Sequence, residues 1–120
     1  MSHTRWVSHN GKKILYVDYR GLKTAEEMID TLDESVREEL ASPTRVFVLA
    51  NFEGSFGSNK YMERVKQSGK EIGVQKVQKT ALVGVTGMKE ILLNAYLRFT
   101  AEKNMHVFDT EAEALDWLCQ

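Results

Sequence analysis

The spacing of apolar and polar positions along the chain predicts strands that alternate with helices. Three segments are apolar almost throughout, as interior strands of a sheet are: 13–19, 45–50 and 80–85. A shorter strand is predicted over 105–108. Asn10-Gly11 is the dipeptide that best fits a tight hairpin turn, so it predicts an antiparallel strand at 6–9.

Helix caps and apolar periodicity predict four helices between these strands. Thr24 and Glu27 have the spacing of a capping box, and Pro43 marks the exit of that first helix. Its predicted apolar stripe consists of Ala25, Met28, Ile29, Leu32, Val36 and Leu40. The second helix begins after Ser58 and ends at Gly73, and the other two follow the caps Thr86 and Thr110. The order β-β-α-β-α-β-α-β-α predicts a mainly parallel α/β sheet.

Length and composition limit the classes of protein. A chain of 120 residues favours a single domain over 1–120. One cysteine, Cys119, excludes an intramolecular disulfide and suits a reducing cytoplasm. The chain has no run of roughly 18 apolar residues and no secretory leader. With 16 basic and 17 acidic side chains, nucleic acid is not an expected partner. We therefore expect a cytoplasmic protein with no membrane span.

The residues that carry chemistry do not form a catalytic or metal-binding pattern. The three histidines lack metal-ligand spacing and Cys119 has no cysteine partner, so neither a metal nor another cofactor is predicted. Asp18 lies inside an apolar strand, where burial would favour acid–base chemistry. We favour the alternative, a carboxylate at a strand end that binds loop amides. No nucleophile is paired with a base, and we expect no enzyme activity.

Two loops between a strand and a helix are candidate sites for an anionic or apolar small molecule. Ligands of parallel sheets bind beyond the carboxyl ends of the strands, and helix N-termini attract anions. The candidate residues are Asn51, Gly54, Gly57, Lys60, Gly84, Thr86 and Gly87. The alternative interpretation is that these glycines and hydroxyl groups only shape turns and cap helices.

The third helix has two apolar stripes, of which one is predicted to face the core. That predicted core face consists of Met88, Ile91, Leu92, Ala95 and Phe99. Leu93 and Leu97 fall nearly opposite it, with Tyr96 bridging toward them. These three residues are a candidate contact surface for a second copy, a protein partner or an apolar ligand. The alternative is a wide core with two scattered exposed leucines.

Charge is distributed unevenly between two predicted helical segments. Residues 24–40 are mostly acidic and residues 60–79 are mostly basic. This pattern is typical of two solvated faces of opposite sign, and it also fits a docking surface.

Several strings of the sequence resemble the SpoIIAA-like group of the STAS-like bacterial proteins. These strings are 14–19, 79–85, 93–97, 108–110 and 114–118, and the likeness covers nearly the whole chain. The resemblance implies a β-α superhelix with a five-stranded, mostly parallel sheet, one antiparallel edge strand and about four helices. That fold is shared with lipid-carrying CRAL–TRIO domains.

The resemblance also implies a function, with one alternative. It implies a non-enzymatic, regulatory protein–protein interaction domain of the STAS type, acting on an unknown protein partner. Typical members carry an Asp-Ser-Ser-Gly-like motif after the third strand, and a serine there is phosphorylated. This chain lacks an Asp-Ser pair there, and Ser58 lies nearest the equivalent place with Ser55 next. The alternative is a carrier of a small or lipid-like molecule that uses the loops at the strand carboxyl ends.

Overall fold

In a computed structural model, which describes residues 2–71, 76–98 and 104–120, strands and helices follow the predicted order. The strands are β1 (Thr4–His9), β2 (Lys12–Asp18), β3 (Val46–Asn51), β4 (Val77–Val83) and β5 (Met105–Phe108). The helices are α1 (Ala25–Ala41), α2 (Asn59–Glu71), α3 (Met88–Arg98) and α4 (Glu111–Leu118). Gly73 and Phe99, named above, lie outside the described residues.

The five strands form one sheet in the order β1-β2-β3-β4-β5. β1 pairs with β2 in antiparallel orientation, and the other neighbours are parallel. The hairpin turn has φ angles of 49° at Asn10 and 80° at Gly11, as this dipeptide predicts. The capping box of Thr24 and Glu27 is formed with both of its hydrogen bonds.

The sheet separates two apolar cores because successive strand residues point to opposite faces. On one face, β2, β3 and β4 pack against α1, α2 and α3. On the other face, the same strands pack against α4 through Ala114 and Leu118. On this first face, α1, which carries the acidic segment, lies beside α2, which carries much of the basic segment. Lys60 pairs with Glu26 at 3.1 Å and Arg64 pairs with Asp33 at 2.8 Å, which joins α2 to α1.

The predicted apolar stripe of α1 is wrong at its last turn. Leu40 is 56% exposed, whereas Glu39 is only 7% exposed. The buried stripe includes Thr31 and Ser35, whose hydroxyl groups donate to carbonyl groups of the same helix. Thr31 and Ser35 can be buried because their hydroxyl groups are hydrogen-bonded within the helix. The buried face of α1 therefore includes them, and Glu39 lies on the same face.

The predicted faces of α3 are largely reversed in the structure, although Leu92 of the predicted core face is half-buried. Leu93 and Tyr96 belong to the core, and Leu97 packs against it. Met88 and Ile91, predicted to be buried, are 60% and 63% exposed. Both stripes have helical spacing, and the core contains the stripe with Leu93 and Tyr96. The candidate contact surface of Leu93, Tyr96 and Leu97 is therefore an inward face of the helix.

Candidate functional site

A cavity of about 170 Å³ lies between the sheet and the three helices of the first face. Strand side chains on that face line its floor: Val17, Val48, Ala50 and Leu82. Apolar helix residues line its walls, among them Met28 from α1, Val65 from α2 and Leu93 from α3. An apolar, concave space with a few polar groups is the usual composition of a small-molecule site.

Small residues leave this space open in an otherwise packed core. Ala50 lies on the floor, while Ser35, Ser68 and Gly69 lie on the helix walls. The hydroxyl groups of Ser35 and Ser68 donate to Leu32 O at 2.7 Å and Val65 O at 3.0 Å. These two hydroxyl protons are therefore engaged within the helices and are not offered to a ligand.

The loop from β3 to α2 and the start of α3 close one end of the cavity. Phe56, Gly57 and Ser58 line that end, together with Lys89. The Nζ atom of Lys89 donates to Phe52 O at 2.7 Å. Burial, with a smaller effect from the charge of Lys23, lowers the pKa of Lys89. Sequence analysis missed Lys89 because it is an ordinary helical lysine until the loop folds over it.

Three aromatic side chains pack together near this end. Tyr19 stacks on Phe52 with ring centroids 4.4 Å apart, and Tyr61 meets Tyr19 edge-on at 5.6 Å. The hydroxyl groups of Tyr19 and Tyr61 share a hydrogen bond, and burial raises the pKa of both. All three rings line the cavity. They give it a rigid aromatic wall.

Only part of the predicted loop set reaches the cavity. Gly57 lines it, as does Ser58 from the predicted partner loop, whereas Gly54, Lys60 and Gly84 do not. Lys60 is engaged with Glu26. Gly54 accepts a hydrogen bond from Lys23 Nζ at 2.7 Å through its carbonyl group.

The second predicted loop lies beside the first and has a structural role. Gly84 and Gly87 have φ angles of 78° and 59°, which favour glycine. Thr86 accepts a hydrogen bond from Lys89 N at 3.2 Å through its carbonyl oxygen. The turn interpretation accounts for these contacts, in which Thr86 takes part through its backbone and not as the predicted side-chain cap.

Asn51 lies on the sheet face opposite the cavity. Its amide nitrogen donates to Glu111 Oε2 at 2.6 Å, and its amide oxygen accepts from Glu53 N at 3.0 Å. Tyr16 also donates to Glu111, and burial together with that bond raises the pKa of Tyr16 to about 12. The candidate ligand residue Asn51 thus fastens α4 and the β3–α2 loop to the sheet.

The two serines proposed as a partner or modification loop hold the loop's own backbone. The Ser55 hydroxyl group donates to Phe52 O at 2.7 Å. The Ser58 hydroxyl oxygen accepts from Tyr61 N at 3.1 Å, which is the helix cap predicted for it. A phosphate on Ser58 would therefore displace a helix cap that also lines the cavity.

Asp18 follows the interpretation favoured above. Its carboxylate accepts hydrogen bonds from Arg20 N at 3.0 Å and from Arg20 Nε at 2.9 Å. The guanidinium group of Arg20 is the main cause that lowers the pKa of Asp18. A carboxylate fixed in this way is an acceptor at a strand end.

Glu39, like Lys89, is a polar side chain of the cavity that sequence analysis missed. It lines the cavity, and among the described residues no hydrogen bond or ion pair reaches its carboxyl group. Burial raises its pKa to about 7. The sequence offers no signal for this, because Glu39 is one of several acids on a helix that is mostly acidic.

We expect Glu39→Gln to raise the free energy of unfolding by about 2 kcal/mol at about pH 8 and to change it little at about pH 4. The unfolded chain loses this proton near the usual glutamate value and the folded chain holds it until about 7. Stability is therefore lost as pH rises between those values, and glutamine removes that loss. Urea unfolding at both pH values measures the change in the free energy of unfolding. An equal change at both pH values would contradict the burial of the Glu39 carboxyl group.

Within residues 2–71, 76–98 and 104–120, no group of three or more His, Cys, Asp or Glu side chains is placed to hold a metal ion. In the same part of the chain, no helix has the length and apolarity needed to cross a membrane.

The sheet order, its antiparallel edge and the flanking helices define an α/β protein of the SpoIIAA-like fold. The SpoIIAA-like family model matches residues 14–119, so the chain belongs to the SpoIIAA-like family.

Two solved bacterial structures have the same fold. An uncharacterized protein of the DUF3478 family from Shewanella loihica PV-4 is 19% identical with a TM-score of 0.66, covering 97% of this chain and 92% of that one. An anti-sigma-factor antagonist (STAS) domain protein from Planctomyces limnophilus is 18% identical with a TM-score of 0.63, covering 98% of both chains. A comparison with curated proteins gives no significant match.

Proposed function

We propose that this protein binds a small apolar molecule in the cavity between the sheet and helices α1 to α3. The observation that carries the proposal is the preformed apolar space of about 170 Å³. An engineered apolar cavity of about 150 Å³ stays dry and binds benzene, so this space suits a ligand of that size. The function is one of binding, since no pair of a nucleophile and a base lines the cavity among the described residues.

The position of Phe56 supports an entrance to the cavity at the end formed by the β3–α2 loop. Its side chain lines the cavity and is also 45% exposed, so it extends from the interior to solvent. Gly57, next to Phe56, is closely packed against α3, because a Cβ atom at Gly57 would lie 3.0 Å from Lys89 Cγ. A ligand would thus enter beside the Phe56 ring, near the loops predicted for a carrier.

A second candidate function is regulatory protein–protein interaction of the STAS type in the cytoplasm. The exposed apolar side chains of Met88 and Ile91 favour it, because they lie on α3 beside the cavity-lining Lys89 and Leu92. A protein partner or a second copy that contacts this face would touch the helix that covers the ligand. Phosphorylation of Ser55 or Ser58 would act on the same end of the cavity.

We expect toluene to bind saturably in the cavity, because its apolar surface leaves water for an apolar lining. The measurement is an NMR titration of methyl groups in the full chain. Methyl signals of Met28, Val48 and Leu93 should shift, since these residues line the cavity. Signals of Val83 and Leu118 should stay, since these residues lie in the core of the opposite sheet face. Absence of saturable shifts, or equal shifts on both faces, would overturn the proposal.

A further inference from the structure

The cavity has a carboxyl group at the end opposite the loops. Helix α1 connects the parallel strands β2 and β3, so it runs antiparallel to them. Glu39, near the end of α1, therefore lies toward the amino ends of the strands. Val77, the first residue of β4, lines the cavity as well. Lys89, in the first turn of α3, lies toward the carboxyl ends instead.

Glu39 lines the cavity, and no donor from the described part of the chain bonds to its carboxyl group. Among the described residues, the other titratable side chains that line the cavity are Tyr19, Tyr61, Lys89 and Tyr96. The hydroxyl groups of Tyr19 and Tyr61 are hydrogen-bonded to each other, and the ammonium group of Lys89 donates to a backbone carbonyl group. Tyr96 has an interaction of its own, and Asp33, the nearby carboxylate on α1, is paired with Arg64. Glu39 is thus more than nine-tenths buried and has no partner among residues 2–71, 76–98 and 104–120.

We propose that Glu39 is the polar anchor of the cavity and that the ligand is a small amine with an apolar body. The ammonium group would donate to the Glu39 carboxylate while the hydrocarbon part contacts the apolar lining. This inference rests on the proposed function and names the ligand class of the same site.

The chemistry of the carboxylate distinguishes an amine from other ligands of the same size. An ammonium group offers three donors and the opposite charge, and such charge-assisted bonds are the strong ones. An alcohol offers one donor and no charge. A carboxylate ligand would bring a like charge into the same apolar space. Burial raises the pKa of the Glu39 carboxyl group, and an ammonium group beside it would lower that pKa again.

Three probes with one chain length test the proposal: hexylamine, 1-hexanol and hexanoate. Each is titrated at about pH 8 into the full-length protein, its Glu39→Gln variant and a Glu38→Gln control. The control removes the same charge one residue away, at a side chain that does not line the cavity. We expect Glu39→Gln to weaken hexylamine by about tenfold or more, to change 1-hexanol by less than about threefold, and to strengthen hexanoate. Glu38→Gln should change none of them by more than about threefold.

A second measurement uses the unsubstituted protein. Carbon-13 titration of the Glu39 carboxyl group should show its pKa falling by about one unit or more when hexylamine is saturating. If 1-hexanol binds and hexylamine shows no loss in the Gln variant, the anchor is wrong and the apolar site remains. If toluene and all three probes fail to bind, the proposed function falls and this inference falls with it.

Discussion

Replacing Gly84 by alanine should lower the free energy of unfolding by about 3 kcal/mol. Gly84 has a φ of 78°, and a Cβ atom there would lie 2.5 Å from Glu53 N and 2.9 Å from Glu53 Cα. These are backbone atoms, and the Glu53 amide is held by its hydrogen bond to the Asn51 side chain. The loop cannot move aside without breaking that bond. Urea unfolding of the purified variant measures the loss.

Gly87→Ala is the matched control for this prediction. Gly87 has a φ of 59° and open space where a Cβ atom would be placed. Alanine there should cost about 1 kcal/mol, which is the backbone effect alone. The difference between the two variants isolates the contact of Gly84 with Glu53. If both cost the same, the two loops do not approach each other as the structure has them.

Local sequence signals predicted the elements of the fold well. The Asn10-Gly11 turn, the Thr24 capping box and the Ser58 cap each depend on neighbours within a few residues. Such features do not depend on contacts between distant segments of the chain. The parallel orientation of most of the strands followed from the alternation of strands and helices, since parallel neighbours need a crossover helix.

Choices between two equally periodic faces could not be made from local signals. Both stripes of α3 repeat at helical spacing, and the packing of Leu93 and Tyr96 in the core decides between them. The same holds in α1, where Thr31 and Ser35 have the polarity of surface residues and are buried. Their hydroxyl groups bond to their own helix, a solution that composition does not reveal.

The cavity is a property of distant small residues that meet in space. Ser35, Ala50 and Gly69 come from α1, β3 and α2, and each is unremarkable within its own segment. The predicted loops reach the cavity at Gly57 and Ser58, because the carboxyl ends of parallel strands share one edge. Glu39 lies at the other end of the cavity, and no comparable rule for parallel sheets predicts a site there.

Filling the floor of the cavity should abolish ligand binding without unfolding the protein. Ala50 pairs with Val17 on one side and with Leu82 on the other, so it lies in the middle of the floor. Leucine adds about three methylene-sized carbons, which fit within about 170 Å³ and bury apolar surface there. We expect Ala50→Leu to weaken toluene binding by more than about tenfold in the methyl NMR titration. Its free energy of unfolding should stay within about 1.5 kcal/mol of the parent value, because burial gains offset strain.

The same substitution on the outer face of α3 separates a filled cavity from a general effect of leucine. Ala95 is exposed and does not line the cavity, so Ala95→Leu should leave toluene binding unchanged. If Ala50→Leu binds toluene as tightly as Ala95→Leu does, the ligand occupies another place on the protein. If Ala50→Leu loses binding and keeps its stability, the space above β3 is the ligand site. The fold then does not itself require a small residue at this position, and the small side chain of Ala50 serves to keep the ligand site open.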